Sequence, residues 1–146
     1  MATTVLPTLK FVLNSGDRVT LKADNDLFWT RDPAQQNWIT ATASTAGATS
    51  HFVVHVAEDS QVSLEADDGR FVIASSAESF NPAVAIERSA DQYTRFTITV
   101  FDDATIALRA ENGLYLSRYT WRHLETIAAV KTSIDQYCYF RIAEAE

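Results

Sequence analysis

The sequence predicts an all-β domain built from three copies of one structural unit. One ten-residue phrase occurs three times, as L-K-A-D-N-D-L-F-W-T at 21–30, L-E-A-D-D-G-R-F-V-I at 64–73 and L-R-A-E-N-G-L-Y-L-S at 108–117. The first leucines of these phrases are 43 and 44 residues apart. A second marker has the same period, because Phe52, Phe96 and Phe140 are 44 residues apart. A fixed period of this length indicates one unit repeated along the chain.

Within a unit, the pattern is typical of short strands joined by turns. Residues Phe96–Val100 and Thr105–Arg109 each alternate apolar and polar side chains, as half-buried strands do. The tripeptide E-N-G at 111–113 favours a tight turn with a positive φ angle. A third strand is predicted at 114–116, followed by a longer loop and a fourth strand at 127–131. Four strands per unit predict about twelve strands in all.

This pattern predicts a β-trefoil. Twelve short strands in three equivalent units fit a six-stranded barrel closed by three hairpins, which leaves no exposed sheet edge. The units are predicted at 8–50, 51–94 and 95–138, the first opening at Leu9, with a closing strand at 139–143. The 146 residues are therefore expected to form a single domain.

Composition and charge narrow the range of partners. The chain is 47% hydrophobic and has a net charge of −7, which opposes binding to the phosphate backbone of nucleic acids. No apolar run approaches the roughly 20 residues that span a bilayer, so direct membrane insertion is not expected. One cysteine, Cys138, allows no intramolecular disulfide, and the start at Met1 does not resemble a secretory signal, so we expect a cytoplasmic location. Cys138 itself is predicted to be a small buried hydrophobic residue.

The repeated phrase is predicted to form scaffold and not a binding site. Its leucines and aromatic residues lie at alternating positions, and burial with a period of two would place all of them in the core. These residues are Leu21, Leu64, Leu108, Phe28, Phe71 and Tyr115. Trp29 occupies the place of Val72 and Leu116 in the other copies and is expected to be packed as well.

The form L-x-A-[DE]-[ND]-G-x-[YF]-[LV], as it stands at 64–72 and 108–116, resembles the signature of fascin-like β-trefoils. Within that group, the chain is similar to the galactose-binding β-trefoil lectins of mushrooms, of the bolete type, above all at 112–121 and 127–131. This resemblance implies binding of galactose or N-acetylgalactosamine at up to three sites, commonly in a homodimer, without catalysis and without a cofactor. The Q-x-W motif of ricin-type trefoils occurs at 36–38, outside its usual place in the unit.

The loop after each phrase carries the candidate sugar-binding residues. Sugar recognition requires an aromatic ring against the apolar face of a pyranose, together with polar groups that pair with its hydroxyls. The candidates are Arg31, Asp32, Asn37 and Trp38 in the first unit, Ser75, Ser76, Glu78 and Asn81 in the second, and Arg118, Tyr119, Trp121, His123 and Glu125 in the third. Asn37, Asn81 and Glu125 are 44 residues apart, which indicates equivalent places. The alternative is that these polar residues only solvate the loops.

Neither a metal site nor a catalytic group is predicted. His51 and His55 would be about 13 Å apart on a strand, which is too far to share a zinc ion. The D-N-D sequence at 24–26 lacks the glycine and the glutamate of a calcium loop and is predicted to be a turn. The acidic pairs at 67–68 and 102–103 also lie in predicted turns, where exposed carboxylates cannot act as a general acid near neutral pH. We therefore expect no enzymatic activity.

Three functions remain to be compared. The repeated loops favour a multivalent lectin for galactose-type glycans, in which several weak sites together give avidity. A fungal-type β-trefoil protease inhibitor is the alternative, because Pro33 and Pro82 lie in candidate loops, although the nearly equal loop lengths do not single out one inhibitory loop. An actin-binding trefoil is the third possibility, and it would require a basic patch that the sequence does not display.

Overall fold

The computed structural model describes residues 15–57, 60–101 and 104–145. Within these ranges the strands are β1 (Arg18–Lys22), β2 (Phe28–Asp32), β3 (Trp38–Ala43), β4 (Phe52–Val56), β5 (Gln61–Glu65), β6 (Phe71–Ala74), β7 (Ala83–Glu87), β8 (Phe96–Val100), β9 (Thr105–Arg109), β10 (Tyr115–Trp121), β11 (Leu124–Lys131) and β12 (Phe140–Glu144). Leu9 and residues 102–103 lie outside the described ranges. Among the described residues, no helix has the length and apolar character needed to cross a bilayer.

Six strands form a closed antiparallel barrel. Their order around the barrel is β1, β4, β5, β8, β9 and β12, and β12 pairs with β1 to complete the ring. Ile142 of β12 lies opposite Leu21 of β1, just as Val54 lies opposite Leu64 and Ile98 lies opposite Leu108. The last strand therefore supplies the first unit with the partner that β4 and β8 supply to the other two units.

The remaining strands form three hairpins that cap one end of the barrel. The hairpins are β2–β3, β6–β7 and β10–β11. They contact one another around the pseudo-threefold axis, where Thr126 lies opposite Thr40, Trp38 opposite Val84, and Pro82 forms a bridge to Ala128. This is the architecture predicted from the repeat.

The core is made of equivalent residues from the three units. The marker residues Phe52, Phe96 and Phe140 are fully buried, and the phrase leucines are at most 2% exposed. Trp29 is also fully buried and makes edge-to-face contacts with Phe52 and Phe140, at centroid distances of 6.2 and 4.9 Å. Burial of these residues and of Cys138 confirms the sequence predictions.

The aromatic residues of the phrase are an exception, because they are only partly buried. These residues are Phe28, Phe71 and Tyr115. A β-bulge directly after each aromatic residue turns the next side chain inward, so the residues fully buried in their place are Trp29, Val72 and Leu116. The rings instead contact outer side chains, as where Lys22 covers Phe28 at 4.9 Å and Arg109 covers Tyr115 at 6.0 Å. The prediction of a core role for these three rings is therefore wrong.

The third hairpin also differs from its prediction. A longer loop is expected after 114–116, but β10 continues to Trp121 and is joined to β11 by two residues, Arg122 and His123. Both have positive φ angles, 48° and 70°, as a type I′ hairpin turn requires. The strand predicted at 127–131 is confirmed as part of β11.

Candidate functional site

The tips of the three hairpins carry the sequence-predicted binding residues, and they meet at the pseudo-threefold axis. Trp38 of the first hairpin lies edge-on to Phe80 and to Trp121, at centroid distances of 5.4 and 5.2 Å. Phe80 stacks against Tyr119 at 5.3 Å and against Trp121 at 5.5 Å. The aromatic residues therefore form one cluster, defined by these four rings, and not three separate ring surfaces.

Most of this aromatic cluster is closed to a ligand. Trp38 is 7% exposed and Phe80 is 6% exposed, so neither ring presents a face to solvent. Tyr119 and Trp121 are only partly buried, and the guanidinium of Arg122 lies 4.6 Å from the Trp121 ring. The solvent-accessible part of the cluster therefore belongs to the third hairpin.

Arg31, a predicted sugar ligand, links the first unit to the second. Its Nε and Nη2 atoms donate to the two carboxylate oxygens of Asp67 at 2.7 and 3.1 Å, and Nη1 donates to Oδ1 of Asn37 at 3.0 Å. Hydrogen bonding to Arg31 holds the pKa of Asp67 below its usual value. The carboxylate is therefore ionised over the whole neutral range and keeps the guanidinium between the two units.

Arg118 makes the corresponding link from the third unit to the first. Its Nε and Nη2 atoms donate to Asp24 at 2.7 and 2.9 Å, and Nη1 donates to Glu125. The hydrogen bonds to Asp24, and secondarily those to Glu125, raise the pKa of Arg118 above its already high usual value. The guanidinium also lies 5.1 Å from the ring of Tyr137. Two acids and one ring thus hold Arg118 in place.

Asn37 and Asn81 join neighbouring hairpins through their backbones and their amides. Both have positive φ angles, 64° and 50°, which asparagine tolerates better than most residues. Their carbonyl oxygens accept from the backbone N–H of Ala85 and of Ala129, each at 3.0 Å. Their side-chain amides donate to the carbonyls of the same two alanines at 3.4 and 3.3 Å. Assembly of the cap therefore accounts for polar residues at this repeated position.

The second unit lacks the arginine link. Ala74 occupies the position of Arg31 and Arg118, and the acid that would be its partner is Glu111, the counterpart of Asp67 and Asp24. The two arginines close the boundaries between the first and second units and between the third and first. Among the residues that the structure describes, no such link joins the second and third units.

Introducing Ala74→Arg is expected to stabilise the protein by about 0.5–1 kcal/mol, because the new guanidinium reaches Glu111 across that boundary. Urea unfolding measures the change. Ala74→Met, which adds length without charge, is the matched control. The arginine link is excluded if Ala74→Arg is no more stable than Ala74→Met.

The other predicted residues fall into two groups. Asp32 accepts a hydrogen bond from the N–H of Ala34 at 3.1 Å, and Ser75 accepts one from the N–H of Ala77 at 3.1 Å, so both fix the backbone of a tip. The exposed residues of the set are Ser76, Glu78 and His123. With Tyr119 and Trp121, these residues are the ones best placed to meet a ligand at the cap, and their binding role stays a prediction.

Three grooves on the outside of the barrel form a second candidate surface. The first two grooves each contain a row of three residues that lie opposite one another on neighbouring strands. The rows are Arg18, Val53 and Glu65 in the first groove and Gln61, Thr97 and Arg109 in the second, and the third groove contains Arg141 and Lys22 of the corresponding row. The volumes of the grooves are about 360, 310 and 330 Å³. The linings of the first and second grooves are equivalent position by position, whereas the third groove shares only Lys22 and Arg141 with that pattern.

The sequence prediction did not include these grooves. Strand alternation indicates that Thr97 and Arg109 point outward, because their neighbours Phe96, Ile98 and Leu108 are core residues. However, the side chains that meet across a groove belong to strands of different units. The register between those strands decides which residues face one another, and that register follows from closure of the barrel.

The described residues offer no cluster of three or more His, Cys, Asp or Glu side chains that could hold a metal ion. His55 lies within β4 and its Nε2 is 2.8 Å from Oε1 of Glu65, whereas His51 precedes the strand and lines the first groove. Burial raises the pKa of the Cys138 thiol, so this side chain is not a thiolate at neutral pH.

No protein-family model and no curated protein sequence matches the chain. Solved structures do match it. The β-trefoil BEL superposes with a TM-score of 0.73 at 9% identity, over 97% of this chain and 100% of that one. The fold is a β-trefoil. The trefoil also matches a Polyporus squamosus lectin bound to a human-type influenza-binding epitope, with a TM-score of 0.72 at 7% identity, over 89% of this chain and 49% of that one. It matches SeviL bound to the asialo-GM1 saccharide with a TM-score of 0.69 at 8% identity, over 90% of this chain and 99% of that one. At such identities, the likeness establishes the fold, and the predicted fold class is confirmed.

Proposed function

We propose that this β-trefoil is a multivalent carbohydrate-binding protein without enzymatic activity. The observation that carries the proposal is a set of three outer grooves of about 310–360 Å³, two of which occupy equivalent places in the repeat. These volumes lie at the small end of the range for ligand sites and suit one or two sugar rings. Two of the similar structures, the Polyporus squamosus lectin and SeviL, are solved with saccharides, which supports the same class of ligand.

The third groove has the composition that a neutral sugar requires. It is lined by the partly exposed ring of Phe28 and by the polar side chains of Thr20, Lys22 and Arg141. Lys22 lies directly opposite Arg141 on the neighbouring strand, so both cations border the same space. The apolar face of a pyranose packs against the part of the Phe28 ring that Lys22 leaves exposed, while its hydroxyls accept hydrogen bonds from the two cations. We propose galactose or N-acetylgalactosamine as the sugar, in line with the resemblance of the repeated phrase.

Several such grooves on one molecule convert weak binding into avidity. A shallow groove gives each sugar few contacts, so a single site is expected to bind weakly. Simultaneous contacts with a glycan-coated surface raise the effective affinity without any new interaction. Assembly into a homodimer, as the resemblance implies, would double the number of sites on one particle.

Binding to immobilised galactosides tests the proposal. Arg141→Ala is expected to weaken binding to a galactose-coated surface about three- to tenfold, because it removes a hydrogen bond from a charged donor. Arg88→Ala is the matched control, since Arg88 is also exposed but lies outside the three grooves. A parallel Trp121→Ala variant tests the cap surface. Failure of the wild-type protein to bind any glycan on an array would exclude the proposed function.

The protease-inhibitor alternative receives less support from the geometry. Pro82 is buried and bridges to Ala128 within the cap, so it does not stiffen a protruding loop. The tip of the third hairpin consists of the two residues Arg122 and His123, which is too short to fill a protease cleft. Inhibition assays with papain-like and trypsin-like proteases complete the comparison.

A further inference from the structure

The second groove has a polar floor made by three neighbouring strands. Gln61 on β5 lies opposite Thr97 on β8, which lies opposite Arg109 on β9. Directly opposed residues have Cβ atoms about 4.5–5.5 Å apart, so these side chains form a continuous row. Arg95 precedes Thr97 by two residues on extended backbone, with φ −89° and ψ 128°, and therefore lies on the same face. The groove thus brings two arginines to one surface.

Both arginines keep donors that no described residue uses. The Nε atom of Arg109 donates to the carbonyl of Gly113 at 3.1 Å, and its guanidinium lies 6.0 Å from the ring of Tyr115. These contacts fix the direction of the side chain and leave its two terminal nitrogens unpaired within the described part of the chain. Arg95 is exposed and has neither a hydrogen bond nor an ion pair with any described residue. A guanidinium in this state binds an anion without first losing an internal partner.

The first groove has a different charge pattern at the same positions. Glu65 stands where Arg109 stands in the second groove, and His51 stands where Arg95 stands. Asp67 adds a second carboxylate to that lining, although Arg31 already neutralises it. A carboxylate or sulfate would therefore meet Arg18 and two carboxylates in the first groove, but two arginines and the single carboxylate of Glu111 in the second.

The third groove also contains two cations, but one of them is engaged. The Nζ atom of Lys22 lies 3.4 Å from Asp26 and 4.9 Å from the ring of Phe28. Among the three grooves, the second is therefore the one in which two arginines face solvent without an acidic partner among the described residues. This local charge stands out on a chain whose net charge is −7.

We propose that the second groove binds a saccharide that carries an anionic substituent, a carboxylate or a sulfate. The inference rests on the proposed glycan binding and assigns a sugar class to one of its sites. Arg95 and Arg109 donate to the anionic group. Gln61 and Gln92, which also line the groove, pair with ring hydroxyls, and the carboxylate of Glu111 accepts from a further hydroxyl.

A matched pair of ligands isolates the charge. Galacturonate and galactose differ only at C6, which is a carboxylate in one and a hydroxymethyl group in the other. Oligosaccharides of each, immobilised at equal density, are titrated with the wild-type protein by surface plasmon resonance. Wild-type protein is expected to bind the galacturonate surface about tenfold more tightly, and the preference is expected to fall as salt rises. A galactose 6-sulfate surface distinguishes sulfate from carboxylate.

Substitutions locate the preference. Arg95→Gln and Arg109→Gln are each expected to reduce the ratio of galacturonate binding to galactose binding about tenfold, which removes the preference. Arg88→Gln, an exposed arginine outside the grooves, is the matched control. A thermal melt of each variant verifies folding, which matters for Arg109 because of its bond to Gly113.

The outcomes separate this inference from the proposed function. Equal binding of galacturonate and galactose by the wild-type protein, or an unchanged preference in Arg95→Gln and Arg109→Gln, overturns the anionic groove and leaves glycan binding in place. Binding of galacturonate without binding of any neutral glycan supports the anionic groove and removes the galactose proposal. Absence of binding to every charged and neutral glycan overturns both.

Discussion

Replacement of Trp29 by alanine is expected to lower the free energy of unfolding by about 3–5 kcal/mol. Trp29 is fully buried at the junction between the first hairpin and the barrel, where it contacts Phe52 and Phe140 edge-to-face. Alanine removes those contacts and leaves a cavity between the first hairpin and the barrel, beside Phe52 and Phe140. Urea unfolding measures the loss. The transition is monitored by circular dichroism and not by fluorescence, because the substitution removes a tryptophan fluorophore.

Trp29→Phe is the matched control. The indole Nε1 atom of Trp29 is buried and has no hydrogen-bond partner among the described residues, so its loss relieves an unpaired polar group. Phenylalanine keeps most of the ring contacts, and the expected loss is therefore within about 1.5 kcal/mol. If the alanine and phenylalanine variants were equally stable, the contacts with Phe52 and Phe140 would not hold the hairpin to the barrel.

The sequence predicted the fold because the core follows local rules. The phrase leucines and the marker phenylalanines each recur with the same period within short strands, so their burial could be predicted one strand at a time. The bulge that follows Phe28, Phe71 and Tyr115 could not be predicted from the pattern of a single strand. It adds a residue to one strand of a hairpin and so reverses inside and outside at that point, which alternation alone does not indicate.

The candidate site was harder to predict because its contacts join distant parts of the chain. Arg31 and Asp67 are 36 residues apart, and Arg118 and Asp24 are 94 residues apart, yet each pair shares two hydrogen bonds. From the sequence alone, these charged residues could equally be sugar ligands or links between units. The strand pairing of the barrel and the cap is needed to show that the two arginines join neighbouring units. The same pairing places Arg95, which belongs to no sequence motif, at an open groove.

Divergence among the three units is concentrated on the outer face. The inward positions keep leucine and phenylalanine in every unit, since the barrel centre requires the same volume from each. The outward counterparts Glu65, Arg109 and Lys22 differ in charge, although their backbones pair in the same way. Under the proposed function, a repeated scaffold with non-repeated grooves would allow one small domain to bind more than one kind of sugar. Such a molecule would discriminate between surfaces by the combination of glycans that they present.

Replacement of Arg118 by alanine is expected to lower the free energy of unfolding by about 2–3 kcal/mol, the second largest effect among the changes considered. The loss leaves two carboxylates, Asp24 and Glu125, without the guanidinium that joins them. The three side chains are 19–27% exposed, so water compensates part of the cost and the effect is smaller than for a fully buried pair. Arg118→Lys keeps the charge but loses the bidentate geometry, and an intermediate loss is expected.

Two comparisons identify the cause of that loss. Arg122→Ala removes an exposed arginine from the same hairpin, whose contact is the ring of Trp121, and is expected to cost less than about 1 kcal/mol. Combining Arg118→Ala with Asp24→Asn and Glu125→Gln removes the stranded charges together with the arginine, so part of the stability should return. Urea unfolding at pH 7 measures all of the variants. If the triple variant is no more stable than Arg118→Ala, then the loss comes from packing against Tyr137 and not from the unpaired carboxylates.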